Sequence, residues 1–236
     1  MQDRYAGDVG DFGQLALLRA LSVGRRLGVC WYLTNGDGEI GNDGRHLGYL
    51  DRRDRFRHLD QQLFDSLAAY RDDVQQKRCE RSVASLERLD LLPVTTRFHR
   101  VVCPRGATAR ASWAHEMAAS MSTANLIFLD PDNGLEGCRL TPKSVVLYEL
   151  TALRALGRAL LLYHHQTRFR GGAAAEQAYV TERLLATGFA SIQAIRFKPY
   201  SSRFYFLLDG DEEIRRRMVA LAGRWGKEIV IYPPSP

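Results

Sequence analysis

The sequence predicts an α/β protein with a doubly wound, mostly parallel sheet of the Rossmann-like kind and an antiparallel hairpin near its C-terminus. Helix-like and strand-like segments alternate along most of the 236 residues, which is typical of a parallel sheet covered by helices. The segment NLIFLD (125–130) is apolar at nearly every position, as strands buried on both faces are. Two late strand-like segments are separated only by KPYSS, which predicts the hairpin.

The first half of the chain begins with a helix over DFGQLALLRALSVGRRL, where leucines recur at helical spacing. Asp11 is a candidate N-cap of this helix and Gly28 a candidate stop. A short buried strand, VCWYLT (29–34), comes next. The later elements of this half are helices near 60–72 and 81–91, a strand over 95–103 and a helix near 107–121.

The second half continues the alternation after strand 125–130. Its predicted elements are a helix around 143–156, a strand over 159–165, a helix over 173–188, strands over 191–197 and 203–209, a helix over 210–224 and a short final strand, IVIY. The chain contains no internal repeat and no low-complexity linker. We therefore expect a single α/β domain over 1–236, with a helical insertion at about 52–92.

Composition places the protein among ordinary globular proteins of the cytoplasm. Its formal net charge is +6 and its pI is about 9.3, which favours a polyanionic partner such as RNA or DNA. The four cysteines form no CxxC pair, as expected of reduced thiols in a cytoplasmic protein. No window is apolar enough for a membrane span, and the first residues do not resemble a signal peptide. Composition leaves the oligomeric state open.

Polar, glycine-bearing segments follow three predicted strands. In open α/β sheets, ligands bind outside the carboxyl ends of the strands, so these segments are expected to meet at one edge. They are NGDGEIGNDGRH after Thr34, PDNGLE after Asp130 and HQTRFRGG after His164. In the last of them, Arg168 and Arg170 are candidates for neutralising substrate phosphate.

The segment LIFLDPDNGLE (126–136) carries the main candidates for chemistry. Asp130, Asp132 and Asn133 have the oxygens needed to orient an amino group, accept a proton or hold Mg²⁺. The same residues also favour a simple turn. Two histidines, 164 and 165, alternate across the predicted pleat, so one of them can reach the edge; we take His164 as the catalytic candidate, and a structural histidine remains the alternative.

A basic segment, RHLGYLDRRDRFRH (45–58), interleaves arginines with aromatic residues. Arg45 and Arg53 are candidates for binding nucleic acid. The interspersed aspartates equally suit a solvated face of ion pairs. The preceding NGDGEIGNDG has neither the G-x-G-x-x-G spacing nor a P-loop signature, and the chain has no zinc spacing and no G-x-S-x-G elbow.

The N-terminal segment RYAGDVGDFGQL has two readings. Either Asp8 or Asp11 caps a helix while the glycines permit positive φ, or the segment is an arm laid over a pocket. Together with the apolar strand that ends in Asp-Pro and the terminal hairpin, the segment resembles class I S-adenosylmethionine-dependent methyltransferases. It most nearly resembles the J-type large-subunit ribosomal RNA adenine methyltransferases. The likeness covers the order of elements along most of the chain, but only about twenty residues of motif.

The resemblance implies S-adenosylmethionine as cofactor and a base amine of a nucleic acid as methyl acceptor. Tyr5, Gly7 and Asp8 would then lie near the cofactor. The loop Asn35, Gly36, Asp37 and Gly38 would bind the cofactor, and Asp130 would hydrogen-bond the amine. The chain departs from the family where Asp132 and Asn133 replace a proline and an aromatic residue, and where the loop lacks a tight Gly-x-Gly.

Two other functions remain open on the sequence. Asp130 and Asp132, with Asn133 and a histidine, could hold Mg²⁺ or Mn²⁺ in a nuclease or phosphoesterase, because Asp132 is surplus to amine methylation. Alternatively, the chain could be a non-catalytic domain that binds RNA or a partner through its basic segment.

Overall fold

The computed structural model describes residues 1–34, 46–137 and 141–235. Among these residues, no helix combines the length and the apolarity that crossing a bilayer would require.

The chain divides into two compact units. The first, called the sheet unit, consists of Met1, Gly24–Thr34 and Thr95–Pro236. The second, called the helical unit, consists of Gln2–Val23 and Asn35–Val94, and the predicted insertion at about 52–92 falls within its second segment.

The strands belong to the sheet unit. They are β1 (Leu27–Trp31), β2 (Arg97–His99), β3 (Leu126–Asp130), β4 (Gly134–Leu135), β5 (Ser144–Val145), β6 (Ala159–His165), β7 (Ile192–Phe197), β8 (Arg203–Leu208) and β9 (Ile229–Ser235).

The α-helices occur in both units. Those of the helical unit are α1 (Val9–Leu21), α2 (Arg53–Phe56), α3 (Gln61–Gln75) and α4 (Val83–Glu87). Those of the sheet unit are α5 (Ala107–Ser120), α6 (Leu147–Leu153), α7 (Gly172–Ala186) and α8 (Glu212–Trp225).

Seven of the described strands form one sheet in the order β2-β1-β3-β6-β8-β7-β9, and β4 pairs with β5 separately. Strands β2, β1, β3 and β6 are parallel. Strand β8 is antiparallel to both β6 and β7, so β7 runs in the same direction as β6. The predicted fold class is thereby confirmed: a mostly parallel Rossmann-like sheet with an antiparallel hairpin inserted near one end.

Helices cover both faces of the sheet. On one face, Ile127, Leu162 and Phe206 of the strands belong to one buried apolar cluster with Trp113 of α5, Leu150 of α6 and Val180 of α7. On the other face, the ring of Trp225 in α8 lies 5.5 Å from that of Phe197. All five residues of β3 are buried, as is typical of a parallel strand covered on both faces.

The core of the helical unit is aromatic. Helix α1 is buried over nearly its whole length, and its Phe12 ring lies 5.4 Å from Tyr49, 6.2 Å from Phe56 and 6.1 Å from Phe64. Such edge-to-face and tilted ring pairs add to the stabilisation that burial alone provides.

Several observed elements differ in extent from the predicted ones. Helix α1 starts at Val9 because Asp8, rather than Asp11, accepts the cap hydrogen bonds. The strand predicted over 95–103 is only Arg97–His99, since Val101 and Val102 are exposed beyond it. The helix predicted over 143–156 shortens to Leu147–Leu153 because Ser144 and Val145 pair with β4 instead.

We expect Leu160→Ala in β6 to lower the free energy of unfolding by about 2–5 kcal/mol, because it leaves a cavity in the buried centre of the sheet. Leu156→Ala is the matched control, since Leu156 is fully exposed and should change stability by about 0.5 kcal/mol or less. Urea unfolding followed by circular dichroism measures both. Equal effects would contradict the central position of β6.

Candidate functional site

The candidate site lies at the carboxyl ends of β1 and β3. The chain runs from β1 to β2 on one side of β1 and then returns to β3 on its other side. The connections therefore diverge between β1 and β3, which is where open α/β sheets bind their ligands. In the β1–β3 register, Trp31 lies opposite Asp130, and these are the last residues of the two strands.

Asp130 is buried, with 4% of its surface exposed. Leu129 lies opposite Leu162 in the register of β3 with β6. Since successive side chains alternate between the faces of a sheet, Asp130 shares its face with Tyr163, and His164 lies on the opposite face. The structure thus separates two of the predicted catalytic residues, Asp130 and His164, by the thickness of the sheet.

The amino group of Met1 lies between the ends of β1 and β3. It donates hydrogen bonds to the Tyr32 carbonyl at 2.7 Å and to the Asp130 carbonyl at 3.4 Å. It also pairs with the Asp132 carboxylate, with 2.6 Å between the nitrogen and Oδ1. Asp132, predicted as a catalytic residue, therefore binds an ammonium group in this structure.

The segment after Asp130 is held as an ordered connection rather than a simple turn. The Asn133 N–H donates to the Lys143 carbonyl at 2.8 Å, and the Asn133 carbonyl accepts from the His165 N–H at 3.3 Å. Gly134 and Leu135 then pair with β5. The Asn133 side chain remains exposed, so it is available at the carboxyl edge.

His164 supports this segment from the other face. Its Nδ1 accepts a hydrogen bond from the Leu135 N–H at 3.1 Å, and its Nε2 lies 3.4 Å from Glu176 of α7. Glu176 also accepts bonds from the Thr167 N–H and hydroxyl. Burial raises the pKa of Glu176, but the hydrogen bonds from His164 and Thr167 outweigh it and leave the pKa below its usual value. Both ring nitrogens of His164 are thus engaged within the protein, which is the geometry of a structural histidine.

His165 is the histidine on the face of Asp130, whereas the sequence analysis chose His164 of the two. The Tyr163 hydroxyl lies 3.3 Å from His165 Nδ1, and the Ser201 hydroxyl lies 3.5 Å from Nε2. Side chains alternate along a strand, so either residue 164 or residue 165 faces the same side as Asp130. The register of β6 with β3 is needed to tell which one does. Tyr163 and His165 are both partly exposed.

A fully buried ion pair lies beneath the end of β1. Arg110 of α5 and Glu149 of α6 form a two-pronged pair, and neither side chain reaches solvent. Glu149 also accepts bonds from the Tyr32 hydroxyl and the Val146 N–H, each at 3.0 Å. Arg110 donates to the Ser144 carbonyl at 2.7 Å. The pair ties α5, α6 and β5 to the residue that follows β1.

The two neighbours of this pair have raised pKa values. Burial raises the pKa of Tyr32 well above its ordinary value, and the Glu149 charge adds to the effect. Burial also raises the pKa of the Cys103 thiol to about 12, although the Arg110 charge opposes it. Both groups are therefore protonated and neutral at pH 7. Sequence reasoning missed Arg110 and Glu149, although Glu149 stands at the third position of α6, where a glutamate commonly caps a helix.

Arg168 and Arg170 are exposed in the segment that follows β6. The structure thus places them at the carboxyl edge of the sheet, as predicted. Both arginines belong to the loop that precedes α7. This loop ends at Gly171 and Gly172, which have φ angles of +91° and +78°.

The predicted residues of the N-terminal arm belong to the helical unit and have structural contacts there. Asp8 caps α1 by accepting bonds from the Gly10 and Asp11 N–H groups. Gly7 has a φ of +79°, and a Cβ there would lie 3.0 Å from the Tyr70 ring. Tyr5 ends a 3₁₀ turn, Asp3–Tyr5. Asp11 in turn accepts a hydrogen bond from the Gly7 N–H at 2.6 Å. These contacts account for Gly7, Asp8 and Asp11 without a ligand.

The basic segment is paired with acidic side chains where the structure describes it. Arg57 forms a two-pronged bond with Asp65 at 2.8 and 2.6 Å. Arg53 lies 3.6 Å from Asp65 and is mostly exposed. The predicted cofactor loop, Asn35, Gly36, Asp37 and Gly38, and the predicted substrate residue Arg45 lie outside the described residues.

The alternative metal site finds no support in the donor geometry. Among residues 1–34, 46–137 and 141–235, no three His, Cys, Asp or Glu side chains converge as metal ligands do. Asp132, one of its two proposed ligands, is paired with the Met1 amino group.

Comparison with known proteins leaves the fold and site geometry as the basis for assigning function. No protein-family model matches the sequence, and no curated protein matches it.

We expect Gly134→Ala to destabilise the protein and to displace the segment that carries Asp132. The φ of Gly134 is +96°, and a Cβ there would lie 2.4 Å from His164 Nδ1; the backbone strain alone costs about 1–3 kcal/mol. Gly137→Ala is the control, because a Cβ at Gly137 would meet no described atom within 4 Å. Thermal unfolding monitored by circular dichroism compares the two variants, and equal midpoints would refute the close packing at Gly134.

We expect Glu149→Gln to lower the free energy of unfolding by about 3–5 kcal/mol, because it leaves the Arg110 charge buried without its carboxylate. Glu213→Gln is the matched control. Glu213 pairs with Arg216 and Arg217 on the partly exposed surface of α8, where an ion pair contributes about 1 kcal/mol or less. Urea unfolding measures both, and a small effect of Glu149→Gln would mean that the pair is accessible to water.

Proposed function

We propose that the protein is an S-adenosylmethionine-dependent methyltransferase that acts on a base amine of a nucleic acid. The observation that carries the proposal is the position of Asp130. It ends a fully buried strand, opposite the last residue of β1, at the point where the connections of a Rossmann-like sheet diverge. Open α/β sheets bind ligands there. The class I methyltransferases that the sequence resembles have their Asp-Pro pair at this position.

The acceptor groups between β1 and β3 suit the amino-acid end of this cofactor. Two backbone carbonyls and one carboxylate, from Tyr32, Asp130 and Asp132, surround a primary ammonium group. The cofactor carries such an ammonium group on its methionine portion. We therefore propose that these three residues would hold that end of the cofactor.

Asp130 would act on the methyl acceptor. Its carboxylate can accept a hydrogen bond from an exocyclic N–H, which orients the nitrogen lone pair toward the methyl group. When bound, the cofactor supplies an electrophilic methyl group on its sulfonium. The burial of Asp130 excludes water from this hydrogen bond and so strengthens it.

An aromatic side chain beside Asp130 supports a flat acceptor. The family places a ring two residues beyond its Asp-Pro, where this chain has Asn133. Tyr163 shares the face of Asp130 and is partly exposed, so its ring is the neighbouring surface on which a base could stack.

The charge of the carboxyl edge supports a polyanionic acceptor. Exposed arginines follow two strands on either side of the candidate site: Arg100 and Arg105 after β2, and Arg168 and Arg170 after β6. Arginines placed in this way bind the phosphates that flank a target base. We also propose a cytoplasmic location, in which the described free cysteines, Cys30, Cys79 and Cys103, would stay reduced.

Isothermal titration calorimetry with S-adenosylmethionine tests the cofactor. We expect a dissociation constant in the micromolar range, or about −8 kcal/mol, without added metal. Transfer of labelled methyl groups to RNA and DNA then tests the reaction. Asp130→Asn should keep cofactor binding but lose at least about a hundredfold in transfer rate, because the hydrogen bond to the amine is weakened.

The control for Asp130→Asn is Glu212→Gln, which neutralises a carboxylate that is almost fully exposed on α8 and should leave both measurements unchanged. Absence of cofactor binding by the parent protein would overturn the proposal. Transfer by Asp130→Asn at the parent rate would remove Asp130 from the reaction.

A further inference from the structure

Two aromatic rings lie side by side where the loop after β6 meets α7. The rings of Phe169 in the loop and Tyr179 in α7 are 5.2 Å apart, with 32° between their planes. Tyr179 is 46% exposed, and Phe169 is partly exposed. Single apolar side chains are common on protein surfaces, whereas neighbouring exposed rings form a contiguous patch, a feature that often marks a binding site.

Three arginines accompany this ring pair. Arg168 and Arg170 flank Phe169 in the chain, and both are exposed. The guanidinium carbon of Arg183 lies 5.7 Å from the centre of the Tyr179 ring. Aromatic rings interspersed with arginines are typical of surfaces that bind single-stranded nucleic acid.

Few acidic side chains oppose these charges. Residues 167–186 contain two carboxylates, those of Glu176 and Glu182. Glu176 is buried, so Glu182 is the only exposed acidic side chain within this described stretch. The exposed side chains of the stretch thus carry a net positive charge, which favours an anionic partner.

The loop that carries two of the arginines is fixed at both ends. At its start, Glu176 accepts bonds from the Thr167 N–H at 2.9 Å and from the Thr167 hydroxyl at 2.7 Å. At its end, the Gly172 N–H donates to the Phe169 carbonyl at 3.0 Å. An ordered loop loses less conformational freedom when a ligand binds, so these contacts favour binding by the ring and the charges that the loop carries.

We propose that the surface formed by Phe169, Tyr179, Arg168, Arg170 and Arg183, called the α7 surface, binds single-stranded nucleic acid. Unpaired bases stack on its rings, and its arginines bind the neighbouring phosphates. A double helix does not fit this surface, because its bases are already stacked on one another and offer no free face to a ring.

The α7 surface adjoins the candidate site. Its loop starts at the end of β6, the strand that pairs with β3, and Arg183 donates to the carbonyl of Glu136 in the segment that follows Asp130. Nucleotides bound on this surface therefore lie next to a base held at Asp130. That use of the surface rests on the function proposed above, whereas the binding of a single strand does not depend on it.

Fluorescence anisotropy of labelled single-stranded RNA, single-stranded DNA and duplex DNA of one mixed sequence measures binding without cofactor. We expect Tyr179→Ala to raise the dissociation constant for single strands at least about fivefold, because one stacked base is lost. Tyr148→Ala is the matched control, since Tyr148 of α6 is 45% exposed and lies outside the α7 surface. The arm with the lower dissociation constant, RNA or DNA, identifies the preferred strand. Equal affinities of Tyr179→Ala and the parent, or tighter binding of the duplex, would overturn the proposal.

Tyr179→Trp keeps a ring at this position and reports on stacking directly. The three native tryptophans, Trp31, Trp113 and Trp225, are buried, so quenching by a bound strand arises at position 179. We expect this variant to bind single strands as the parent does, with its added emission quenched. Binding with unchanged emission would show that no base stacks there and would overturn the proposal.

The salt dependence of binding tests the arginines. Each phosphate contact to a single strand contributes about 0.7 to the slope of log affinity against log salt concentration. The double variant Arg168→Gln, Arg170→Gln should therefore lower that slope by about 1.4. The control, Arg224→Gln with Lys227→Gln, removes the same charge from exposed positions at the end of α8. Equal slopes in the two double variants would contradict the proposal.

Calorimetry with S-adenosylmethionine separates this proposal from the proposed function. If single strands bind and the cofactor does not, the proposed function alone fails. If the cofactor binds and the parent protein binds no single strand, the proposal for the α7 surface alone fails.

Discussion

The parallel pairing of β1 with β3 is the constraint on which the rest of the sheet unit depends. Five residues of each strand lie in register, and all ten are buried. A shift by one residue would turn every side chain of one strand to the other face. The observed register places Asp130 opposite Trp31, so the last residues of the two strands lie side by side at the carboxyl edge.

The Arg110–Glu149 pair extends this constraint to the helices. Buried ion pairs are seldom the most stabilising choice, since the desolvation of both charges offsets much of their attraction. Their value lies in requiring one arrangement of the groups around them. Here Glu149 binds the Tyr32 hydroxyl and the start of α6, while Arg110 binds the β5 backbone. Tyr32, the residue that follows β1, is thereby fixed in position. Its carbonyl, which contacts Met1, is fixed with it.

The sequence predicted the sheet and the position of Asp130 because both depend on local patterns. An apolar run followed by Asp-Pro identifies a buried strand and its end without reference to the rest of the chain. The histidine beside Asp130 depended on the register of β6, in which one residue decides between His164 and His165. The Arg110–Glu149 pair joins residues 39 positions apart, each of which is an ordinary helix surface residue by its local pattern.

The contacts of Met1 were beyond any sequence pattern. They arise because the ends of β1 and β3 leave two carbonyls and a carboxylate close together, and only the fold brings these groups to one place. Residues of the N-terminal segment illustrate the opposite case: Asp8 has the cap role that its position before a helix predicts. The glycine before it has the positive φ that glycine readily adopts.

The outermost strand, β9, has a consequence for how the molecule meets others of its kind. An exposed sheet edge offers unpaired backbone groups to which a strand of another molecule can add. In β9, Pro233 and Pro234 lack the N–H that such an addition needs, and the register shifts between the partners of Ile192 and Ala194 there. The opposite edge, β2, has only three residues. The described sheet therefore has no long, regular border, which protects it against edge-to-edge aggregation.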